Sequence, residues 1–296
     1  MSSPYDAPLA EVVENSPLGD ANAPTVQTLA ASAGAEWVTL GFRLAFSRPG
    51  LYLGITVIIF IIGMLTGGLA AFVPIIGDFA SYAIGFMLSA GCVHIGQHLL
   101  RGEDCNSSEL FTPMSDAFGP MLLTSLLATL AAIAGFFMCL IPMFIVVAVG
   151  ADYTGILEAY NTGSYEMIFD HMNPVVIGIA LLILTPVMLV MFQVLHVAGI
   201  HGCVLTSKYQ FKSAESYSFA FKAALANLKP LFVSMMLDFL ILIVAVVVIG
   251  LTTLIHWGLT ALLGFAAMFV FWMYMNAKQA VLFEAFYFND EPIWGH

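Results

Sequence analysis

Charged residues are scarce in this chain, and their scarcity excludes a water-soluble fold. Only 9% of the 296 residues are Asp, Glu, Lys or Arg, whereas 60% are hydrophobic. A soluble domain is about one quarter charged. The apolar runs reach the roughly 20 residues that a helix needs to cross a bilayer. Segments of about 10 residues with alternating polarity, typical of a transmembrane β-barrel, are missing. The sequence therefore predicts an all-α, polytopic membrane protein.

The motifs of common enzyme classes are also missing. The sequence contains no GxSxG, no P-loop, no dinucleotide fingerprint and no HExxH. It has no basic patch large enough for nucleic acid. Its four cysteines, Cys92, Cys105, Cys139 and Cys203, form no CxxC pair and predict no disulfide framework. We expect a non-enzymatic protein with no nucleic-acid partner. No cofactor is predicted from these motifs, and a metal or haem remains open.

The chain divides into a membrane domain and two tails. Residues 1–35 are rich in Ala, Ser, Pro and acidic residues, which is typical of a disordered tail. This tail lacks the basic start and apolar core of a signal peptide. Residues 36–288 form the predicted transmembrane domain, and residues 289–296 form a short C-terminal tail.

Six transmembrane helices are predicted. They cover residues 51–73, 79–100, 121–142, 175–203, 231–255 and 258–280. A turn is expected at 74–78, the third helix has an apolar extension to 150, and the sixth has one to 288.

A pattern of an amphipathic stretch, a proline and an apolar hairpin occurs three times. The stretches before the proline cover residues 36–49, 109–120 and 219–230. We interpret them as three parallel hairpin repeats, each preceded by an amphipathic helix at the cytoplasmic interface. These helices are either linkers that turn the chain or a collar that binds lipid or a partner.

The basic residues predict the orientation. With six spans, all eight fall on the side that carries both termini: Arg43, Arg48, Arg101, Lys208, Lys212, Lys222, Lys229 and Lys278. The opposite side carries only acidic residues, namely Asp78, Asp152, Glu158, Glu166 and Asp170. The positive-inside rule therefore predicts cytoplasmic termini.

Asp238 is the strongest candidate for a functional residue. It lies about 12 Å beyond Pro230 along the fifth span, at a rise of about 1.5 Å per residue. Ionisable side chains at such depth are costly and indicate function by default. Candidate companions on neighbouring spans are His94, His98, Gln193, His196, His201, Asn276 and Lys278. The sequence leaves three roles open: a structural hydrogen-bonded group, a proton- or ion-coupling group, and a ligand site.

The histidines form a second candidate site. His94 and His98 are four residues apart and share one helix face. His196 and His201 are expected near the same membrane level. Imidazole at such positions binds transition metals or haem, but it is also tolerated at the headgroup level without any ligand. Both interpretations remain open.

Small residues recur every four positions on the first two spans. Gly63 and Gly67 lie on the first, and Ser81, Gly85 and Ser89 on the second. Such faces allow close helix contact. We expect packing inside the chain first and contact with another subunit second.

Four segments carry a resemblance to known proteins. They are GFRLAFSRPGLYLGI (41–55), VPIIGD (73–78), HLLRGEDCNSSELF (98–111) and SAESYSFAFKAALANLKPLF (213–232). Residues 36–290 resemble a family of six-span bacterial inner-membrane proteins of unknown function. More distantly, they are similar to the membrane domain attached to some glycerophosphodiester phosphodiesterases. The resemblance implies six helices and a bacterial inner membrane, and it supplies no active residues.

Three functional hypotheses follow. The first is a structural, accessory or assembly subunit of a membrane complex, with membrane lipid and other membrane subunits or further copies of the chain as partners. The second is a small transporter or channel that uses Asp238 and the histidines for coupling. The third is a metal- or haem-binding membrane protein.

Overall fold

Every secondary-structure element in the part of the chain that the structure describes is helical. The computed structural model describes residues 24–149, 152–162, 173–253 and 256–288. They form α1 (Ala33–Ser47), α2 (Pro49–Phe72), α3 (Pro74–Leu100), a 3₁₀ turn (Ser107–Phe111), α4 (Thr112–Val149), α5 (Tyr153–Asn161), α6 (Pro174–Lys208), α7 (Ser213–Ala226), α8 (Leu228–Thr253) and α9 (Trp257–Tyr287). Six helices, α2, α3, α4, α6, α8 and α9, are long and apolar enough to cross a membrane. The predicted all-α, six-span class is confirmed.

Proline positions explain where several helices begin. Pro49, Pro74 and Pro174 are the first residues of α2, α3 and α6, where the missing N–H costs no hydrogen bond. The expected turn at 74–78 is wrong, because Pro74 starts α3 and only Val73 separates the two helices. A Cβ on Gly77 would collide with Ala70, so glycine is needed where this hairpin closes.

The third span begins at Thr112, earlier than the expected residue 121, and is bent. Its helix, α4, contains non-helical backbone at Ala117, with φ −142° and ψ 41°. The ring of Pro120 clashes with the carbonyl four residues earlier in a regular helix, which accounts for a bend at this point. The helix continues beyond Pro142 to Val149, in agreement with the expected extension.

The chain forms two compact units. Of the described residues, one unit contains those up to Thr129 and from Val194 onwards, and the other contains those from Leu130 to Gln193. The core of the first includes Leu44, Val93 and Phe283. In the second, the ring of Phe136 packs 5.9 Å from that of Phe137. All candidate site residues except Gln193 belong to the first unit.

The apolar face of α1 is buried against protein. Trp37 and Leu44 are almost fully buried, and the ring of Trp37 lies 5.5 Å from that of Phe286 in α9. The sequence places this face in the headgroup plane, but α9 extends to Tyr287 and supplies aromatic rings that cover it. By contrast, Leu225 in the last turn of α7 and Leu228 just beyond the end of α7 are exposed.

The segment before α1 is held by hydrogen bonds, although the sequence predicts disorder up to residue 35. Thr25 N donates to Tyr287 O at 3.1 Å. The Asn227 side chain accepts from Leu29 N at 3.0 Å and donates to Gln27 O at 2.7 Å. Residues 25–29 are therefore bonded to the rest of the chain. Residues 1–23 and 289–296, with Glu166 and Asp170, lie outside the described residues.

The glycines of the small-residue faces of α2 and α3 are exposed. A Cβ on Gly63, Gly67 or Gly85 would meet no described atom within 4 Å beyond its own helix backbone and its chain neighbours. The expectation that these glycines pack inside the chain is wrong, because all three are exposed.

Two glycines of α3 provide a matched test of this arrangement. A Cβ on Gly91 would collide with the Leu110 carbonyl, whereas one on Gly85 meets open space. We expect Gly91→Ala to destabilise the protein by about 1–3 kcal/mol through overpacking. Gly85→Ala is expected to be neutral or to stabilise by up to about 1 kcal/mol. Unfolding in mild detergent measures both, and equal effects would contradict the described contact between α3 and the 3₁₀ turn.

Candidate functional site

An ion pair joins two membrane-spanning helices. Lys278 of α9 donates through Nζ to Asp238 Oδ2 of α8. Lys278 is fully buried and Asp238 is 8% exposed. Asp238 lies about three turns into α8 and Lys278 about two and a half turns before the end of α9. The two helices run in opposite directions, so the two residues meet at one level.

Neighbouring polar groups complete the hydrogen bonding of the pair. Tyr274 donates its hydroxyl to Asp238 Oδ1, and Lys278 Nζ donates to Ser234 Oγ at 3.2 Å. Tyr274 and Ser234 are each one helical turn from the charged residue of their own helix. Both carboxylate oxygens therefore have a donor within the chain, which is the condition under which a buried carboxylate is tolerated.

Helix α1 covers this polar group. A Cβ on Gly41 would lie 3.0 Å from Lys278 Cβ and 3.0 Å from the Tyr274 ring. The Phe42 ring stacks on the Tyr274 ring with centroids 4.0 Å apart. A larger residue at 41 would push α1 away from the pair. The glycine therefore permits α1 to shield Asp238 and Lys278.

The structure selects one of the companions that the sequence offered for Asp238. Lys278 is that partner, and Asn276 on the same helix has no described bond to Asp238. Because Lys278 is buried inside α9, it is not a loop charge. Lys278 therefore does not contribute to the predicted orientation, since the positive-inside rule applies to basic residues in loops and at helix ends. The other seven basic residues still favour one side.

The four candidate histidines do not form a single centre. His196 is exposed, and its ring packs 5.8 Å from that of Phe86. The His201 ring is fully buried among Phe283, Phe286 and Tyr287, with centroids 5.1 to 5.6 Å away. Aromatic side chains occupy the space beside His201 that a haem would need. This pair of histidines does not fit a haem site.

His94 and His98 gain a partner that sequence reasoning missed. Their ring centroids are 4.6 Å apart, and Glu109 of the 3₁₀ turn offers a carboxylate oxygen within 4.8 Å of a nitrogen of each. Asn106 and Glu109 form a capping box at the start of that turn. The Asn106-x-x-Glu109 spacing could have indicated this partner from the sequence, because a capping box fixes the position of its glutamate.

A third polar group lies near the ends of α3, α6 and α9. Gln97 is fully buried; its Nε2 donates to Glu284 Oε1 at 2.5 Å, and its Oε1 accepts from Lys208 Nζ at 2.9 Å. Burial, with a smaller contribution from Glu284, raises the pKa of Tyr209 to about 12. Tyr209 is therefore neutral at physiological pH. Through its side-chain hydrogen bonds, Gln97 links α3 to α6 and α9.

A double-mutant cycle tests the energetic role of the ion pair. We expect Asp238→Leu and Lys278→Met each to destabilise the protein by about 3–5 kcal/mol, since each leaves one buried charge without its partner. The double variant should lose much less than the sum of the two. Reversible unfolding in detergent provides the measurement, with the exposed Asp78→Leu as control. Additive losses would contradict the pairing.

Comparison with known proteins gives no relative from which a role could be transferred. No protein-family model, curated protein or solved structure matches the chain.

Proposed function

We propose that this chain is a non-enzymatic integral membrane protein that serves as a structural, accessory or assembly subunit of a membrane complex. The pairing of Asp238 carries the proposal. The deepest acidic residue in the sequence, and the first candidate for activity, has both oxygens bonded within the chain. A satisfied ion pair between two helices holds the helices together and leaves no unbonded oxygen for a substrate.

The outward glycines support association with other membrane helices. Gly63 and Gly67 are one turn apart on α2 and exposed, with no described neighbour around a Cβ. In lipid, faces of small residues allow helices to approach closely and are enriched at helix interfaces. A partner helix on this face is consistent with an accessory subunit.

The coupled-transport alternative receives less support. A coupling carboxylate must exchange a proton or ion with water during transport. Asp238 is instead shielded by α1, which packs on Lys278 and Tyr274 through Gly41 and Phe42. No observation on the described residues favours transport over the structural role.

The location that we propose is a bacterial inner membrane with both termini in the cytoplasm. The seven basic residues outside the buried pair support this orientation. We also propose that the helices before Pro49, Pro120 and Pro230 mark three parallel hairpin repeats. Two of them, α1 and α7, are separate helices, which is consistent with this scheme.

Purification in mild detergent followed by native mass spectrometry tests the accessory role. We expect the wild-type chain to purify in a stoichiometric complex with other membrane subunits. Gly63→Leu/Gly67→Leu should release the chain from the complex without changing the unfolding temperature of the chain itself, because both glycines are exposed and a Cβ at either would meet no described atom within 4 Å. Gly250→Leu, at an equally open position of α8, is the matched control and should retain the complex.

A wild-type chain that purifies alone, or only with copies of itself, would contradict the accessory role. It would direct attention to transport, which is tested by flux measurements on Asp238→Asn. Retention of the full complex by the double leucine variant would contradict the assignment of the interface to α2.

Labelling of engineered cysteines tests the orientation. Lys212 and Glu158 are both exposed and lie at opposite ends of the predicted topology. In a cysteine-free background, a membrane-impermeant maleimide should label Glu158→Cys in intact spheroplasts and Lys212→Cys only after lysis. The reverse order would overturn the proposal of cytoplasmic termini.

A further inference from the structure

His94, His98 and Glu109 form a cluster that the proposed structural role does not use. The two histidines lie on the last two turns of α3 and are half-buried. Glu109 lies in the 3₁₀ turn that follows. One ligand atom from each residue lies within 4.8 Å of the other two. Among the described residues this is the one such group of three or more His, Cys, Asp or Glu side chains.

Neighbouring polar groups hold the side chains of His98 and Glu109 in place. His98 Nδ1 pairs with Glu103 Oε2 at 2.5 Å, which leaves Nε2 available as an electron-pair donor. Glu109 Oε1 accepts from Asn106 N at 3.0 Å and from Asn106 Nδ2 at 3.1 Å, which leaves Oε2. A carboxylate behind a metal-binding histidine is the usual supporting contact in metal sites. The arrangement thus holds two potential ligands in place before any ion arrives.

The packing of the turn on α3 determines the spacing of the cluster. Leu110, next to Glu109, is fully buried, and its carbonyl lies against Gly91, about one turn before His94. The buried side chain of Leu110 therefore fixes the position of Glu109 next to the histidines. This contact distinguishes the cluster from a chance group of exposed acidic residues.

The surrounding charge is compatible with a cation. Glu109 and Asp116 lie within electrostatic range of His94, and Lys208 opposes them. Glu103 adds a third carboxylate through His98. The donor set of the cluster is two imidazole nitrogens and one carboxylate oxygen.

We propose that His94, His98 and Glu109 bind a divalent transition-metal ion, with Zn²⁺ as the best match and water completing the coordination. Two histidines and a glutamate are an established zinc donor set. Ligands about 2.0–2.2 Å from zinc stand about 3.4 Å apart in a tetrahedron. Because the ligand atoms lie within 4.8 Å of one another, the three side chains need to approach one another by at most about 1.4 Å on binding. The ion would tie the turn to the end of α3, a role beyond that of a structural subunit.

Cobalt binding to the full chain tests the site. The protein is purified in detergent with a tag that contains no histidine, stripped with a chelator and titrated with Co²⁺. We expect one ion per chain, visible absorption bands typical of tetrahedral Co²⁺, and displacement by Zn²⁺. Zn²⁺ should also raise the unfolding temperature of the wild-type protein.

Conservative variants separate ligation from folding. Glu109→Gln retains an oxygen for the Asn106 capping bonds but loses the charge, so we expect at least a tenfold weaker affinity with the fold intact. Glu103→Gln should weaken binding about 10- to 100-fold through His98. The control is His256→Asn, which removes an exposed imidazole and retains a side-chain cap for α9; it should bind as the wild type does.

Two results would overturn the proposal. One is a wild-type chain that binds no stoichiometric Co²⁺ or Zn²⁺. The other is binding by His94→Ala/His98→Ala or by Glu109→Gln that equals wild-type binding.

Discussion

The ion pair between Asp238 and Lys278 is the interaction on which the arrangement of α1, α8 and α9 depends. Moving either charge alone from water into a low-dielectric interior costs several kcal/mol. The two attract each other strongly once they are buried together. Tyr274 adds a hydrogen bond to Asp238, and Ser234 accepts one from Lys278. The α8–α9 hairpin is thereby fixed in one register, because a slip of one turn would leave both charges without a partner.

Small residues make this burial possible. Gly41 lets α1 contact Lys278 and Tyr274, and Phe42 stacks on the tyrosine. Asn227 holds the segment before α1 through two side-chain hydrogen bonds. The N-terminal segment and α1 thus cover the charged pair. A segment that the sequence presents as an interfacial helix acts in the structure as part of the protein core.

Much of the architecture could be predicted from the sequence. The six spans follow from apolar runs, and the start of α2 follows from Pro49, whereas Pro74, expected in a turn, begins α3. Asp238 stood out because an acid in an apolar run has few explanations. Its choice of Lys278 among several candidates could not be predicted, since that choice depends on the relative rotation of α8 and α9. The aromatic cage around His201 and the approach of Glu109 to His94 likewise depend on contacts between distant segments.

The most direct test of the claim that the ion pair is shielded is the reactivity of the lysines towards a small amine-reactive reagent in native membranes. The structure buries Lys278 completely, whereas Lys212, Lys222 and Lys229 are exposed. Mass spectrometry of peptides should show modification at the three exposed lysines and none at Lys278 until the chain is unfolded. Modification of Lys278 at a rate similar to Lys222 in the native protein would show that water reaches the pair and would contradict a structural, shielded ion pair.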